Sequence, residues 1–201
     1  PADEGHTNSV RSVCRLTGTT FISGSSDKTL KLWDTGKTEA VRTYEGHTDY
    51  VRSVCRLTGT TFISGSDDNT LKLWDTGKTE AVRTYEGHTN WVYAVCRLTG
   101  TTFISGSSDK TLKLWDTGKT EAVRTYEGHT DYVRSVCRLT GTTFISGSGD
   151  KTLKLWDTGK TGAVRTYEGH TNWVTAVCCL TGTTFISGST DKTLKLWDTA
   201  A

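Results

Sequence analysis

The chain consists of one 41-residue unit repeated almost five times. The phrase Glu-Gly-His-Thr begins at Glu4, Glu45, Glu86, Glu127 and Glu168, so each copy starts 41 residues after the previous one. A fixed period of this size is typical of solenoids, propellers and related arrays, in which each unit packs against its neighbours. Positions that agree between the copies therefore describe the scaffold, and the few that differ are candidates for specific function.

Each copy is predicted to fold as a four-stranded antiparallel meander. In the second copy, residues 51–57 and 70–74 alternate apolar and polar side chains with the period of a strand. Residues 61–64 and 81–85 are short β-branched and aromatic runs, and turns separate the four segments. No segment has helical periodicity over the ~10–12 residues that a helix needs. The repeats are expected to form one domain and to span residues 5–45, 46–86, 87–127, 128–168 and 169–201.

Composition argues against several functional classes. The 24 Lys and Arg residues nearly balance the 22 Asp and Glu residues, and no basic stripe indicates a nucleic-acid partner. No apolar run approaches the ~18–20 residues of a membrane span, and the N-terminus has no signal-peptide pattern. We expect a cytoplasmic protein with no cofactor, no nucleic-acid partner and no membrane partner.

The six cysteines are predicted to be unbridged. Five occupy the same place in every copy, and equivalent residues of successive units rarely lie close enough for a disulfide. We expect these five to be small buried hydrophobes in a reducing compartment: Cys14, Cys55, Cys96, Cys137 and Cys178. Cys179 replaces an arginine of the other copies and should point to the opposite side of its strand from Cys178. No Cys/His cluster indicates a metal site.

The spacing of two dipeptides points to a known family. Gly-His opens each unit, and Trp-Asp closes its third strand 27 residues later, as from His47 to Trp74. A Ser-Gly-Ser-x-Asp-x-Thr-Leu-Lys-Leu-Trp-Asp string connects them. Over essentially the whole chain, this pattern resembles the WD-repeat (WD40) β-propeller family. The resemblance implies an all-β propeller in which each meander is a blade, with the first strand at the central channel and the fourth outermost.

The resemblance also implies a buried polar network of one His, Ser, Asp and Trp per blade. Such a set stabilises the fold because a buried His or Asp is costly unless it is hydrogen-bonded. Ser66 and its equivalents lie on the same strand face as the proposed serines and are an alternative. Five identical sites that each include tryptophan do not suit a catalytic triad, and one histidine per blade does not suit a metal, so we expect no enzyme. The predicted members are His6, Ser23, Asp27, Trp33; His47, Ser64, Asp68, Trp74; His88, Ser105, Asp109, Trp115; His129, Ser146, Asp150, Trp156; and His170, Ser187, Asp191, Trp197.

The copies differ mainly at the start of the first strand and in the turn between strands two and three. In a meander these two places lie at the same end, so the variable residues should share one face. Trp, Tyr and Arg are enriched at interface hot spots, which favours a binding surface for a peptide or protein. The alternatives are blade-seam covering or neutral drift, and Arg52 could simply pair with Asp49 or Asp67. The candidate binding face comprises Tyr50, Arg52, Trp91, Tyr93, Tyr132, Arg134, Trp173 and Thr175.

The last repeat has no fourth-strand sequence, which predicts an exposed edge at Thr193, Leu194, Lys195, Leu196 and Trp197. Unpaired edges and uncapped terminal repeats favour association with another chain. We therefore expect a homodimer in which two partial rings complete a larger one, using either four or five blades from each chain.

Three functions remain open from the sequence. The first is a non-catalytic interaction scaffold or sensor module, and the second is a repeat-based carbohydrate-binding lectin. The third is an engineered, excised or recently amplified array with no evolved ligand, which the near-identity of the repeats and the absence of methionine favour.

Overall fold

A computed structural model of the chain describes residues 5–200, which contain nineteen strands and no helix. The strands form five antiparallel sheets, of which four have four strands and the last has three. These sheets, numbered here as blades 1 to 5 in chain order, confirm the all-β fold and the four-stranded repeat unit. Ala201, the end of the predicted fifth repeat, lies outside the described residues. Within residues 5–200 no helix is long and apolar enough to cross a membrane.

Within each blade the strands follow one another across the sheet in chain order. Blade 1 contains β1 (Val10–Arg15), β2 (Thr20–Ser25), β3 (Leu30–Asp34) and β4 (Arg42–Tyr44). Blade 2 contains β5 (Val51–Arg56), β6 (Thr61–Ser66), β7 (Leu71–Asp75) and β8 (Arg83–Tyr85). Blade 3 contains β9 (Val92–Arg97), β10 (Thr102–Ser107), β11 (Leu112–Asp116) and β12 (Arg124–Tyr126). Blade 4 contains β13 (Val133–Arg138), β14 (Thr143–Ser148), β15 (Leu153–Asp157) and β16 (Arg165–Tyr167), and blade 5 contains β17 (Val174–Cys179), β18 (Thr184–Ser189) and β19 (Leu194–Asp198).

All four strands of blade 2 differ by one or two residues from the sequence expectation. The first ends at Arg56 rather than at 57, and the third spans Leu71–Asp75 rather than 70–74. The second strand of blade 2 continues through Ser66, because Gly65 pairs with Leu71 and Ser66 pairs with Val51 across an irregularity in the register of β5. The fourth strand is shorter than predicted and begins at Arg83. Backbone pairing between strands therefore sets the strand boundaries, which residue propensity alone does not determine.

The chain divides into two compact units, with the boundary inside β9 between Val95 and Cys96. In the first unit, the core lies between blades 1 and 2. Leu30, Leu32 and Tyr44 of blade 1 cluster with residues of blade 2 that include Val51 and Trp74. The Leu-Lys-Leu alternation of the third strand thus supplies one apolar face, which the next blade covers.

The second unit repeats this arrangement between blades 4 and 5. Leu153 and Tyr167 of blade 4 cluster with Val174 and Phe185 of blade 5. The Tyr167 ring packs edge-on against Phe185, with ring centroids 5.2 Å apart. A tyrosine of the fourth strand therefore contributes to the core of the following blade. This role was not predicted from the sequence.

The first strands of successive blades are joined by small polar side chains. Ser12 Oγ accepts a hydrogen bond from Val54 N at 3.1 Å, and Ser135 Oγ accepts one from Val177 N at 3.0 Å. Two residues after Ser12 on the same strand, Cys14 Sγ accepts a hydrogen bond from Arg56 N at 3.2 Å. In each case the side chain at one position faces the backbone 42 residues later.

The prediction that all six cysteines are unbridged is wrong. Cys137 forms a disulfide with Cys179, with a Cα–Cα distance of 5.9 Å. The two residues are 42 positions apart, which is the offset that joins Cys14 to Arg56. Because equivalent residues are 41 apart, comparing them with one another missed this pair. The cysteine that replaces an arginine at position 179 lies directly where Cys137 points.

The expected burial of the cysteines is also wrong. Cys14, Cys55 and Cys96 are half-buried, and Cys178 is exposed. The Cys14 side chain packs at the margin of the apolar core between blades 1 and 2, and its sulfur accepts a hydrogen bond from the neighbouring first strand. The pKa of the Cys14 thiol is raised by burial, which outweighs the opposing hydrogen bond from Arg56. A thiol with a raised pKa is a poor nucleophile, which suits a structural role.

We predict that Arg56→Cys will create a second disulfide, with Cys14. Position 56 has the same relation to Cys14 that Cys179 has to Cys137. Mass spectrometry of the unreduced, digested protein should recover a peptide pair that joins positions 14 and 56.

Arg15→Cys is the matched control, because it occupies the equivalent position in blade 1 and the chain has no cysteine 42 residues before it. Equal cross-linking of Arg15→Cys, or no link in Arg56→Cys, would show that the 42-residue offset does not set the pairing.

Candidate functional sites

Blade 2 shows how the His, Ser, Asp and Trp side chains are placed together. His47 Nδ1 donates to Asp68 Oδ2 at 2.7 Å, and His47 Nε2 lies 2.7 Å from Ser64 Oγ. Trp74 Nε1 donates to the same serine oxygen at 2.8 Å. With its Nδ1 proton directed to the carboxylate, His47 is left with Nε2 as the acceptor for the Ser64 hydroxyl. The chain of bonds runs from a turn, through two strands, to the core tryptophan.

Ser64, rather than Ser66, occupies the position between His47 and Trp74. Ser66 Oγ instead donates to Asp49 O and accepts from Asp68 N, both at 3.1 Å. The two serines are two residues apart on one strand and so face the same side. Only the three-dimensional arrangement separates their contacts.

The aspartate of this network is held by several donors. Asp68 Oδ1 accepts bonds from Thr70 N at 2.9 Å and Thr70 Oγ1 at 2.7 Å, and Oδ2 accepts one from Thr48 N at 3.1 Å. Burial raises the pKa of Asp68, but the bonds from His47 and Thr70 outweigh it and leave the pKa well below its usual range. The carboxylate is therefore ionised at neutral pH.

The pKa of His47, the partner of Asp68, is also lowered. Burial lowers the pKa of His47, and the opposing hydrogen bond from Asp68 does not fully compensate. His47 is therefore neutral at pH 7, which agrees with its donation of a single ring proton to Asp68. The network carries one negative charge and distributes it over backbone and side-chain donors.

The same contacts recur in three other blades at 2.6–2.8 Å. In blade 3, Trp115 Nε1 donates to Ser105 Oγ at 2.8 Å, Asp109 accepts bonds from Thr111, and His88 is buried. The remaining sets are His6, Ser23, Asp27, Trp33; His129, Ser146, Asp150, Trp156; and His170, Ser187, Asp191, Trp197. Among the described residues, no group of three or more His, Cys, Asp and Glu could hold a metal ion.

In the first unit, the variable residues cluster around Arg52. Its guanidinium carbon lies 5.7 Å from the ring centre of Tyr50 and 5.5 Å from those of Trp91 and Tyr93. Arg52 Nε and Nη2 donate to the two oxygens of Asp67 at 2.8 and 2.5 Å. These bonds raise the pKa of Arg52. The positive charge is thus matched by Asp67, and the Trp91 ring, which is exposed, is the accessible part of the cluster.

The second unit has a different version of this cluster. The Arg134 guanidinium carbon lies 4.4 Å from the ring centre of Trp173 and 5.8 Å from that of Tyr132, both of which are exposed. Gly149 stands where blade 2 has Asp67, and a Cβ at Gly149 would meet Asp131 Oδ2 at 2.6 Å. An acidic group therefore approaches this end of blade 4 from another position. Thr175 is exposed and its hydroxyl bonds to a backbone oxygen of its own blade.

The first and last blades each present an apolar face to solvent. Val13 of blade 1 is 67% exposed, whereas its equivalent in blade 2, Val54, is 6% exposed. Leu194 of blade 5 is 77% exposed, whereas Leu153 of blade 4 is fully buried. The sequence is the same at these positions, so the absence of a covering blade within the described chain accounts for the difference.

The β19 edge contains Thr193 to Trp197, and its residues face different directions. Leu194 and Leu196 are exposed on the open face, and Trp197 Nε1 donates inward to Ser187 Oγ at 2.8 Å. Thr193 bonds to Asp191 through both its backbone nitrogen and its hydroxyl. Lys195 lies beside the segment that connects blade 4 to blade 5, with Cε 3.8 Å from the position that a Cβ on Gly169 would occupy. Among residues 5–200, β18 is the strand that pairs with β19.

A family model described as "WD domain, G-beta repeat" matches five stretches of the chain. They cover residues 3–34, 38–75, 79–116, 120–157 and 162–198, and each ends at the aspartate of a Trp-Asp pair. No curated protein matches the chain.

We predict that stability falls in two stages as the pH is lowered. Between about pH 7 and 5, the unfolded chain takes up protons on His47 that the folded chain resists, because the folded pKa is the lower one. Below about pH 4, the same argument applies to Asp68, whose stabilising charge is lost as the carboxylate is protonated. Urea midpoints measured at pH 7, 5 and 3.5 should decrease at each step.

His47→Gln provides the control for the first stage, because glutamine does not titrate. The midpoint of this variant should change less between pH 7 and 5 than that of the parent. An unchanged midpoint in the parent over this interval would contradict a depressed histidine pKa.

Proposed function

Because this chain belongs to the WD40 repeat family, whose members generally act as non-catalytic scaffolds that bind proteins or peptides, we propose that it is an interaction module that also associates with a second copy of itself. The observation that carries the proposal is the exposure of the terminal blade faces. Val10 and Val13 at one end, and Leu194 and Leu196 at the other, are exposed. In the other blades, the equivalent residues are at least partly covered.

The two open faces are the two halves of one type of contact. In the first unit, Leu30 and Leu32 of blade 1 pack with Val51 and Val54 of blade 2. A second copy could therefore place the face of its blade 5 against blade 1 of the first, and reproduce a contact that the chain already makes. Full burial of each valine or leucine gains about 1.5–3 kcal/mol, so the four side chains supply a substantial driving force.

This contact can produce a closed assembly of two copies. The contact is head-to-tail, because different faces meet, and such contacts either close into a ring or continue into a filament. Two copies that make the contact twice leave neither face open. We propose that the homodimer is this closed form.

The chemistry of the network supports a non-catalytic role. In blades 1, 2, 4 and 5 the serine hydroxyl lies between a histidine and a tryptophan N–H, and Ser64 is fully buried. A serine in this position cannot approach a substrate carbonyl. We propose that the His-Ser-Asp-Trp sets stabilise the blades.

The homodimer proposal predicts a light-scattering mass of about twice the 22.0 kDa chain mass. Val13→Glu should return the mass to that of one chain, because it places a charge on the open face while replacing an exposed side chain. Val82→Glu, a change at an exposed valine of blade 2, is the control and should remain dimeric. A parent mass of 22.0 kDa would refute self-association, and a broad distribution of larger masses would refute closure.

A second candidate function, peptide or protein binding, is favoured by the exposed aromatic rings among the residues of the candidate binding face. Trp91, Tyr132 and Trp173 are large exposed side chains beside arginines. Because Asp67 already pairs with Arg52, the cluster in the first unit should favour stacking or apolar groups over a carboxylate. We propose that the Arg52 cluster of the first unit and the Arg134 cluster of the second unit each bind peptides through their aromatic rings.

The peptide-binding proposal predicts that a displayed library of random peptides will yield binders sensitive to the aromatic rings. Trp91→Ala combined with Trp173→Ala should weaken them by about tenfold or more, since hot-spot tryptophans each contribute on the order of 2 kcal/mol. Val82→Ala combined with Val123→Ala, two exposed valines, should not. Equal binding by both variants would count against this face, and specific signals on a glycan array would favour the carbohydrate alternative.

A further inference from the structure

The fourth strand of a blade pairs with the third in one register. Backbone pairing begins where Val41 N donates to Leu32 O at 2.7 Å, and the same bond occurs from Val164 N to Leu155 O. Lys31 Nζ then donates to the hydroxyl of Thr43 at 2.8 Å. The pairs in blade 1 are Leu30 with Tyr44, Lys31 with Thr43 and Leu32 with Arg42, and those in blade 4 are Leu153 with Tyr167, Lys154 with Thr166 and Leu155 with Arg165.

The fourth strand also contacts the following blade. The Tyr44 ring packs edge-on against Phe62 and Trp74, with centroid distances of 5.3 and 5.6 Å. Arg42 Nη1 donates to Thr76 O at 2.8 Å and to Lys78 O at 3.0 Å. A Val-Arg-Thr-Tyr segment therefore joins two blades, with its backbone on one and its tyrosine and arginine on the other.

The acceptor for the backbone of such a segment exists in blade 5. β19 has the same Leu-Lys-Leu sequence as β3 and pairs with β18 in the same register as β3 pairs with β2. Its outer edge has no strand partner among the described residues. Leu196 O is equivalent to the Leu32 oxygen that accepts from Val41 N, and Lys195 is equivalent to Lys31.

The acceptor for the tyrosine exists in blade 1. A cavity of about 320 Å³, called here the blade 1 socket, is lined by His6, Val10, Val13, Phe21, Ser23 and Trp33. Phe21 and Trp33 stack with centroids 6.2 Å apart at 12°, close to the 6.4 Å and 15° of Phe62 and Trp74 beneath Tyr44. The rings that receive a tyrosine in blade 2 are thus already arranged to receive one in blade 1.

We propose that β19 of one copy and the blade 1 socket of a second copy together bind one extended polypeptide segment of the type Val-Arg-Thr-Tyr. The valine N–H would bond to Leu196 O, the threonine hydroxyl to Lys195 Nζ, and the tyrosine would fill the socket. The arginine would donate to the carbonyl oxygens of Thr35 and Lys37 of the second copy, the equivalents of Thr76 and Lys78. The proposal rests on the self-association proposed above and specifies the segment that strengthens it.

Register makes the binding selective. A shift of one residue would turn the tyrosine to the opposite side of the sheet, away from the socket. Backbone bonds alone would accept many extended segments, whereas the alternate side chains restrict the choice. The segment should therefore need a valine or similar residue with a free N–H, and a tyrosine three positions later.

The experiment uses a synthetic peptide with the sequence of residues 39–46, Glu-Ala-Val-Arg-Thr-Tyr-Glu-Gly, and the full chain. Sedimentation of the parent should show that saturating peptide lowers the dimer dissociation constant by about tenfold or more. Fluorescence anisotropy of the labelled peptide should show binding to the parent at least about tenfold tighter than to the Val13→Glu chain, which keeps β19 but lacks an intact socket.

Two altered peptides test the register. Replacing the tyrosine by alanine should weaken binding to the parent chain far more than to the Val13→Glu chain, because only the parent has an intact socket to lose. Replacing the valine by proline should weaken binding to both chains, because proline cannot donate to Leu196 O. A scrambled peptide of the same composition should bind the parent no more tightly than the Val13→Glu chain.

The outcomes separate this inference from self-association itself. A parent that is dimeric, but neither binds the peptide nor responds to it, overturns the inference and leaves the homodimer intact. A parent that is monomeric alone and dimeric with peptide supports the inference and refutes spontaneous self-association. Equal peptide binding to the parent and Val13→Glu chains, or no effect of the tyrosine replacement, overturns the inference.

Discussion

The contact between the apolar face of one blade and the apolar face of the next is the interaction on which the other features depend. Leu30 and Tyr44 from one side, and Val51 and Trp74 from the other, are fully buried only because they meet. A single four-stranded sheet would leave both of its faces in water. The free energy of folding of each repeat is therefore tied to its neighbours, and the terminal repeats inherit a face that nothing in the described chain covers.

The polar network is built around this apolar contact. Trp74 presents its ring to Tyr44 and directs its N–H to Ser64, from which hydrogen bonds continue to His47 and Asp68. The tryptophan thus fixes the serine and histidine, while its own position is set by the adjacent blade. Burial of the histidine and aspartate is tolerated because both are hydrogen-bonded. Burial lowers the pKa of His47, whereas the hydrogen bonds that Asp68 accepts lower the pKa of its carboxyl.

Differences between the repeats act through neighbouring repeats as well as within one repeat. The substitution of arginine by Cys179 has a structural consequence only because Cys137 of the preceding blade faces it. Within the second repeat, Asp67 binds the guanidinium of Arg52, which also contacts Trp91 and Tyr93 of the third repeat. Near-identical repeats can therefore have distinct surfaces, since each variable residue meets different partners on its two sides.

The sequence by itself determined the repeat and its four strands, because strand periodicity and turn residues are local properties. The members of each polar cluster followed from the resemblance to the WD-repeat family. It did not determine which residues of different repeats face one another. The disulfide between Cys137 and Cys179 was not predicted, because residues that face each other on adjacent first strands are 42 positions apart, whereas the repeat has a period of 41. The distinct contacts of Ser64 and Ser66, the fit of Tyr44 against the next blade and the contrast between buried Val54 and exposed Val13 also needed the tertiary structure. The serine contacts depend on how a turn folds onto its own blade, and the other two depend on how closely two blades approach. Identical sequences have different surroundings when one of them lacks a neighbour.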